Sequence, residues 1–90
     1  MLEYHVAYYQ YPDDDGWYVV QVLDFPGVVS QGRTLNSARR MIKDALREMV
    51  AWYMEDGKPL PLPKRGIKDK KAVLVETVRV VARVEAGAQA

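Results

Sequence analysis

Apolar and polar positions alternate from Leu2 to about Gln10, with Tyr4, Val6 and Tyr8 on one side and His5, Ala7 and Tyr9 on the other. Period-two alternation rich in aromatic and branched residues predicts a β-strand. Tyr11-Pro12-Asp13-Asp14-Asp15-Gly16 is turn chemistry throughout, because proline fixes φ, aspartates bond local backbone and glycine accepts positive φ. A second strand is expected from Trp17 to about Asp24, antiparallel to the first because the connection is too short for a parallel crossover. Asp24-Phe25-Pro26-Gly27 breaks the pairing, and Val28-Val29-Ser30-Gln31 is long enough for a short third strand before Gly32. After Thr34, a capping residue, apolar positions from Leu35 to Tyr53 recur at spacings of three and four, predicting one long helix. It should end near Glu55-Asp56-Gly57, because the prolines at 59, 61 and 63 cannot continue it. Residues 57–71 read as a proline-rich, then basic and solvated loop. Ala72 to Val84 reads as a last strand, with Val78, Val80, Ala82 and Val84 on one face and Thr77, Arg79, Val81 and Arg83 on the other. Residues 85–90 are expected to fray.

The order β-β-β-α-β with short first connections implies an α+β, two-layer fold, an antiparallel sheet with one face under a single long helix. The other face is expected to stay open. An open face and a long final strand are commonly managed by self-association, so a homo-oligomer, a dimer or higher, is expected.

Ninety residues suit one domain spanning 1–90, with no internal repeat. The absence of cysteine excludes disulfides, thiolate nucleophiles and zinc-cysteine sites, and fits a reducing cytoplasm. Met1-Leu2-Glu3-Tyr4-His5 lacks the basic start of a signal peptide, and no apolar run is long enough to cross a bilayer, so no membrane association is expected. Thirteen Lys and Arg against twelve Asp and Glu leave a net charge of +1. That is too little for the bulk attraction that dominates non-specific nucleic-acid binding, so any charge argument must be local.

Enzymatic chemistry finds little support. His5 is the single histidine; it has no metal-sharing neighbour and reads as a strand-surface residue. No hydroxyl sits in a nucleophile motif, and the six glycines form no phosphate loop. The acids fall mainly in one turn and at one helix end and do not converge as two-metal catalysis requires. Asp24, beside the Pro-Gly break, reads as a turn-shaping carboxylate. No cofactor and no metal-dependent cleavage are expected. Arg39, Lys43 and Arg47 are spaced by four and make one stripe on the helix, expected to face solvent and to be dispensable for stability; the i,i+4 acids Asp44 and Glu48 flank it. With Lys64 and Arg65 of the basic loop, this stripe constitutes an alternative nucleic-acid contact set, although no aromatic interleaves the loop for stacking.

One ordered string remains: Tyr18-Val19-Val20, then Asp24-Phe25-Pro26-Gly27-Val28-Val29-Ser30-Gln31-Gly32-Arg33-Thr34-Leu35, Ala38, a long helix, and Gly57-Lys58-Pro59-Leu60-Pro61. It resembles the HicB-like antitoxin family over Trp17 to Pro63. The resemblance implies a partial ribonuclease-H-like fold lacking a full catalytic carboxylate set, an inhibitor that binds a small HicA-type mRNA-degrading toxin, and no enzyme activity. A basic toxin would favour acidic contacts, which makes Asp13, Asp14, Asp15 and Asp24, with Phe25, the candidate partner-binding residues. Pro26, Gly27, Gly32, Thr34 and Ala38 read as scaffold: the first two turn the corner, Gly32 admits the turn into the helix, Thr34 caps it and Ala38 permits close helix-sheet approach. Many family members add a C-terminal DNA-binding domain. No helical periodicity follows Val84 here, so direct operator binding is not expected.

Overall fold

The computed structural model describes residues 2–80, the Asp14 side chain apart. Four strands and one helix follow in the expected order: β1 (Leu2–Gln10), β2 (Tyr18–Val22), β3 (Val29–Gly32), α1 (Leu35–Glu55) and β4 (Leu74–Val80). The expected continuation of the last strand through Ala82, Val81, Arg83 and Val84, and the tail at 85–90, lie outside the described residues.

The sheet is antiparallel with strand order β3-β2-β1-β4. In its register Tyr8 sits opposite Val20 and Leu74, and Val6 opposite Val22. Side chains at every second position of a strand share a face, so this pairing gathers Tyr4, Val6, Tyr8, Val20 and Val22 beneath α1. There they meet Ala38, Ile42, Leu46 and Val50, spaced by four along the helix. Phe25 closes one end of this core, tilted against Tyr4 at 5.3 Å and edge-on to Tyr53 at 5.0 Å. On β4, Val78 and Val80 pack against the core while Thr77 and Arg79 are exposed, as the alternation predicts.

Thr34 caps α1 in a reciprocal box with Ser37: its Oγ1 accepts from the Ser37 amide at 3.0 Å, and Ser37 Oγ accepts from the Thr34 amide at 3.0 Å. The helix ends where Gly57 takes φ +67 and the Lys58 amide reaches back to the Tyr53 carbonyl at 2.9 Å. Gly27 has φ +88, as a Pro-Gly corner requires. Gly32 differs from expectation. Its φ is not left-handed; instead a β-carbon there would stand 2.5 Å from the Ala38 amide nitrogen and 2.8 Å from its α-carbon. Glycine is required because β3 abuts the first turn of α1, not because the chain reverses.

The second face of the sheet is only partly open: Glu3, Thr77 and Arg79 on it are exposed, but its middle is covered. Ala7 and Tyr9, which point away from α1, are 0% and 4% exposed. Their cover is the segment expected to be a solvated loop. Tyr4 Oη donates to the Pro61 carbonyl at 2.7 Å, the chain rounds the sheet end, and Tyr9 Oη donates to Asp69 Oδ2 at 2.8 Å while accepting from Gln21 Nε2 at 2.9 Å. Asp69 also accepts from the Lys71 amide at 3.0 Å, and the Val73 amide bonds the Tyr8 carbonyl as β4 begins. The lysines of this stretch are exposed, but its backbone is a lid on the sheet.

The contact at Gly32 yields an expected outcome. Gly32→Ala should lose about 1–3 kcal/mol through overpacking against backbone that cannot yield. Gly57→Ala, whose β-carbon would meet nothing within 4 Å, should lose only the left-handed backbone cost of about 1–2 kcal/mol. Urea unfolding of both variants checks this; a Gly32→Ala protein as stable as wild type would disprove the close approach.

Candidate functional site

Asp24 ends the β2 turn and is 3% exposed. Its Oδ1 accepts the His5 backbone amide at 2.8 Å, and its Oδ2 accepts both His5 Nδ1 at 2.8 Å and the Lys64 amide at 3.0 Å. A carboxylate only accepts, so the histidine proton in this bond resides on Nδ1. His5 is therefore not a plain strand-surface residue but half of a clasp. Burial alone would push the Asp24 carboxyl up, but the donated bonds from the His5 side chain, the His5 amide and the Lys64 amide outweigh it and hold the group below the ordinary carboxylate range. With both oxygens occupied, Asp24 binds its own chain.

Phe25, expected beside Asp24 as a contact residue, is 0% exposed and belongs to the core. Neither of these two candidates presents a surface. The remaining acids, Asp13 to Asp15, lie on the β1–β2 turn, where Pro12–Asp14 forms a short 3-10 turn and Asp15 takes φ +49. Asp13 and Asp15 are exposed. This turn is at one end of β2, opposite the end that Asp24 anchors.

The structure also divides the basic set. Arg39 is not free: its Nε and Nη2 grip Glu76 of β4 at 3.0 and 2.5 Å, a two-point ion pair tying helix to sheet. The Arg39 bond, against an opposing penalty from burial, holds the Glu76 carboxyl low. Burial and the neighbouring Glu76 push the Tyr8 hydroxyl up to about 12. Arg39 is therefore paired to the sheet and only partly exposed, where the sequence led one to expect a free charge facing solvent. Lys43 and Arg47 line a groove between α1 and β4, floored by Leu46, Val50, Val78 and Val80. Arg65 lies instead with His5, Glu3 and Thr77 at a shallow recess on the opposite face, beside the exposed Lys64. The sheet thus separates Lys43 and Arg47 from Lys64 and Arg65, and the five do not form one nucleic-acid surface.

A feature that residue-by-residue reading missed lies on the other flank of α1. Here Ala45, Met49 and Trp52 border a hollow of about 140 Å³ against Gly27, Val28 and Val29. The signal was present in sequence: Met41, Ala45 and Trp52 recur at helical spacing with Glu48 between them, yet the three apolar residues were read together with the core positions and Glu48 as an acid beside the basic stripe. Trp52 is 64% exposed and Met41 48%. Glu48 lines this hollow, which has no lysine or arginine, whereas Lys43, Arg47 and Arg79 line the groove toward β4. Among the described residues, no three His, Cys, Asp or Glu side chains are grouped to hold a metal ion, and no helix is long and apolar enough to cross a membrane.

These features define a small two-layer α+β domain, clasped internally by its strand-end carboxylate and bearing two grooves of unlike charge. Comparison with known proteins gives its affiliation. Residues 3–84 match the family described as HicB-like antitoxin of bacterial toxin-antitoxin system, and the chain belongs to that family. Antitoxin HicB of Escherichia coli K12 is 38% identical over 52 residues, a stretch covering 58% of this chain but only 38% of that protein. UPF0150 protein Ta0767 of Thermoplasma acidophilum is 37% identical over 49 residues, covering 54% of this chain and 71% of that protein. The crystal structure of the N-terminal domain of Burkholderia pseudomallei antitoxin HicB superposes with a TM-score of 0.72 at 25% identity, covering 90% of this chain and all of that one.

The clasp predicts a pH response. Because the folded Asp24 carboxyl titrates below its unfolded value of about 3.9, its contribution is complete above that value and is lost as pH falls through the folded one. Asp24→Asn should cost about 1–3 kcal/mol at neutral pH, since the amide turns a donor toward groups that already donate. It should also flatten the loss of stability below about pH 4. Urea midpoints at pH 7 and pH 3 test both, and parallel acid slopes for the two proteins would be the contrary result.

Proposed function

We propose that this chain is an antitoxin module that binds a HicA-type, mRNA-degrading toxin and blocks it by occlusion, without catalysis of its own. The observation that carries this reading is the family match over residues 3–84 together with a fold shared over 90% of the chain with a HicB N-terminal domain. The internal engagement of Asp24 is consistent with it, since the best-placed strand-end carboxylate is taken up by the chain's own donors. An RNA-cutting partner works where mRNA is, and a cysteine-free chain suits that reducing compartment, so the proposed location is the cytoplasm.

Self-association is part of the proposal, on the second of the two grounds read from the sequence. With the middle of the second sheet face covered, the argument rests on β4. It stands at the sheet edge, runs seven residues, and contains neither proline nor glycine to discourage pairing. Two copies paired antiparallel about Thr77 would set Glu76 opposite Val78 and Val75 opposite Arg79, with no like charges directly opposed.

Co-expression with a HicA-type toxin from the same genome should restore growth, and the two proteins should purify as one complex. Toxin that remains active and separate in the presence of abundant folded chain would refute the assignment. Sedimentation of the intact chain at micromolar concentration should give a dimer or larger species, and Thr77→Pro, which cannot complete a β4–β4 ladder, should weaken it. A monomer throughout would remove the oligomer from the proposal.

A further inference from the structure

Resting on the toxin-binding reading, we infer that the hollow between α1 and the Gly27–Val29 corner is the surface that seats the toxin, with Trp52 at its centre. Its neighbours give no fold-based reason for Trp52 to stand 64% exposed, because the core is closed by Phe25, Leu46 and Val50. Apolar groups left out around a concave site mark an interaction surface. Tryptophan and methionine are enriched in interface cores, and tryptophan above all in the few positions that hold most of the binding energy. The hollow's volume of about 140 Å³ matches cavities of about 150 Å³ that accept a benzene-sized group. One large apolar side chain of the partner therefore fills it.

Charge chooses the occupant. An enzyme that grips mRNA must offer cations to phosphates. The hollow presents Glu48 with no lysine or arginine; Asp44, four residues before it, and Glu55, seven after it, share the exposed side of α1, although Asp44 also lies 3.6 Å from Arg47. The groove on the other side of the helix, lined by Lys43, Arg47 and Arg79, would repel the same partner. A second copy of this chain is disfavoured at the hollow, because a two-fold contact sets the same patch against itself. Glu48 would then approach its own equivalent. The Asp13–Asp15 turn, at the far end of β2, lies outside this surface.

The test measures affinity of the intact chain for a catalytically inactive HicA-type toxin from the same genome by titration calorimetry. Trp52→Ala should weaken binding at least about 30-fold, Trp52→Phe should recover most of it, and Glu48→Lys should cost about tenfold. Lys43→Glu should bind within about threefold of wild type or better. All these positions are exposed, so melting temperatures should match wild type and exclude unfolding as the cause. If wild type binds while Trp52→Ala and Glu48→Lys bind equally well, the toxin reading stands and this surface is wrong. If Trp52→Ala instead dissociates a homodimer and leaves toxin affinity unchanged, the hollow is a self-interface and the inference is overturned. Failure of wild type to bind the toxin at all overturns the reading and the inference together.

Discussion

The Asp24 carboxylate joins three parts of the chain that are far apart in sequence. Through His5 it holds β1, through its own backbone it sets the corner between β2 and β3, and through the Lys64 amide it fixes where the proline segment turns. A buried carboxylate with unfilled oxygens would be costly, and one with three donors is favourable only in this arrangement. From that point the chain is committed to pass across the sheet face opposite the helix, where Tyr9 and Asp69 receive it. The same corner places Gly27 and Val28 against the flank of α1, so the clasp also sets one wall of the apolar hollow.

The elements whose partners lie within their own pattern were legible from sequence. β1 was bounded at Leu2 and Gln10 and α1 by Thr34 and Gly57, because alternation, capping chemistry and a left-handed glycine are local signals. β2 and β3 were placed to within one or two residues. The cover of the second face was not legible. Nothing in Lys64 to Lys71 announces that Asp69 will accept from a tyrosine sixty residues earlier, and lysine-rich composition reports exposed side chains while saying nothing of the backbone beneath them. Gly32 was right as glycine for the wrong reason: its constraint comes from Ala38 across space, not from its own φ.

The site residues divide along the same line. Asp24 was recognised as turn-shaping because a carboxylate beside a Pro-Gly break has few other uses, but the contact role offered for it and Phe25 required exposure that neither has. Arg39 illustrates the limit of a helical stripe. Spacing by four puts Arg39, Lys43 and Arg47 on one side of the helix, yet Glu76 arrives from a strand that sequence spacing cannot position. The periodicity of Met41, Ala45 and Trp52 was visible but undecidable, since a helix packed on a sheet and a helix awaiting a partner carry the same apolar spacing. Only burial separates Ile42 and Leu46, which are covered, from Trp52, which is not.

A domain of this size has little surface to spare, and the chain uses it by dividing labour across α1. One stripe of the helix, Ala38 to Val50 at every fourth residue, belongs to the core. Cations occupy the flank toward β4, one of them spent on the Glu76 tie, and the flank toward β3 carries apolar and acidic groups. The core stripe and the Asp24 clasp hold helix and sheet in register, Arg39, Ala45 and Met49 add to that from the flanks, and exposed side chains such as Trp52, Glu48, Lys43 and Arg47 are spared the task. Their composition can answer to other molecules. That separation lets a chain whose net charge is only +1 carry acidic groups on one side of a single helix and cations on the other, so that a charged molecule approaching α1 would meet opposite signs on its two flanks.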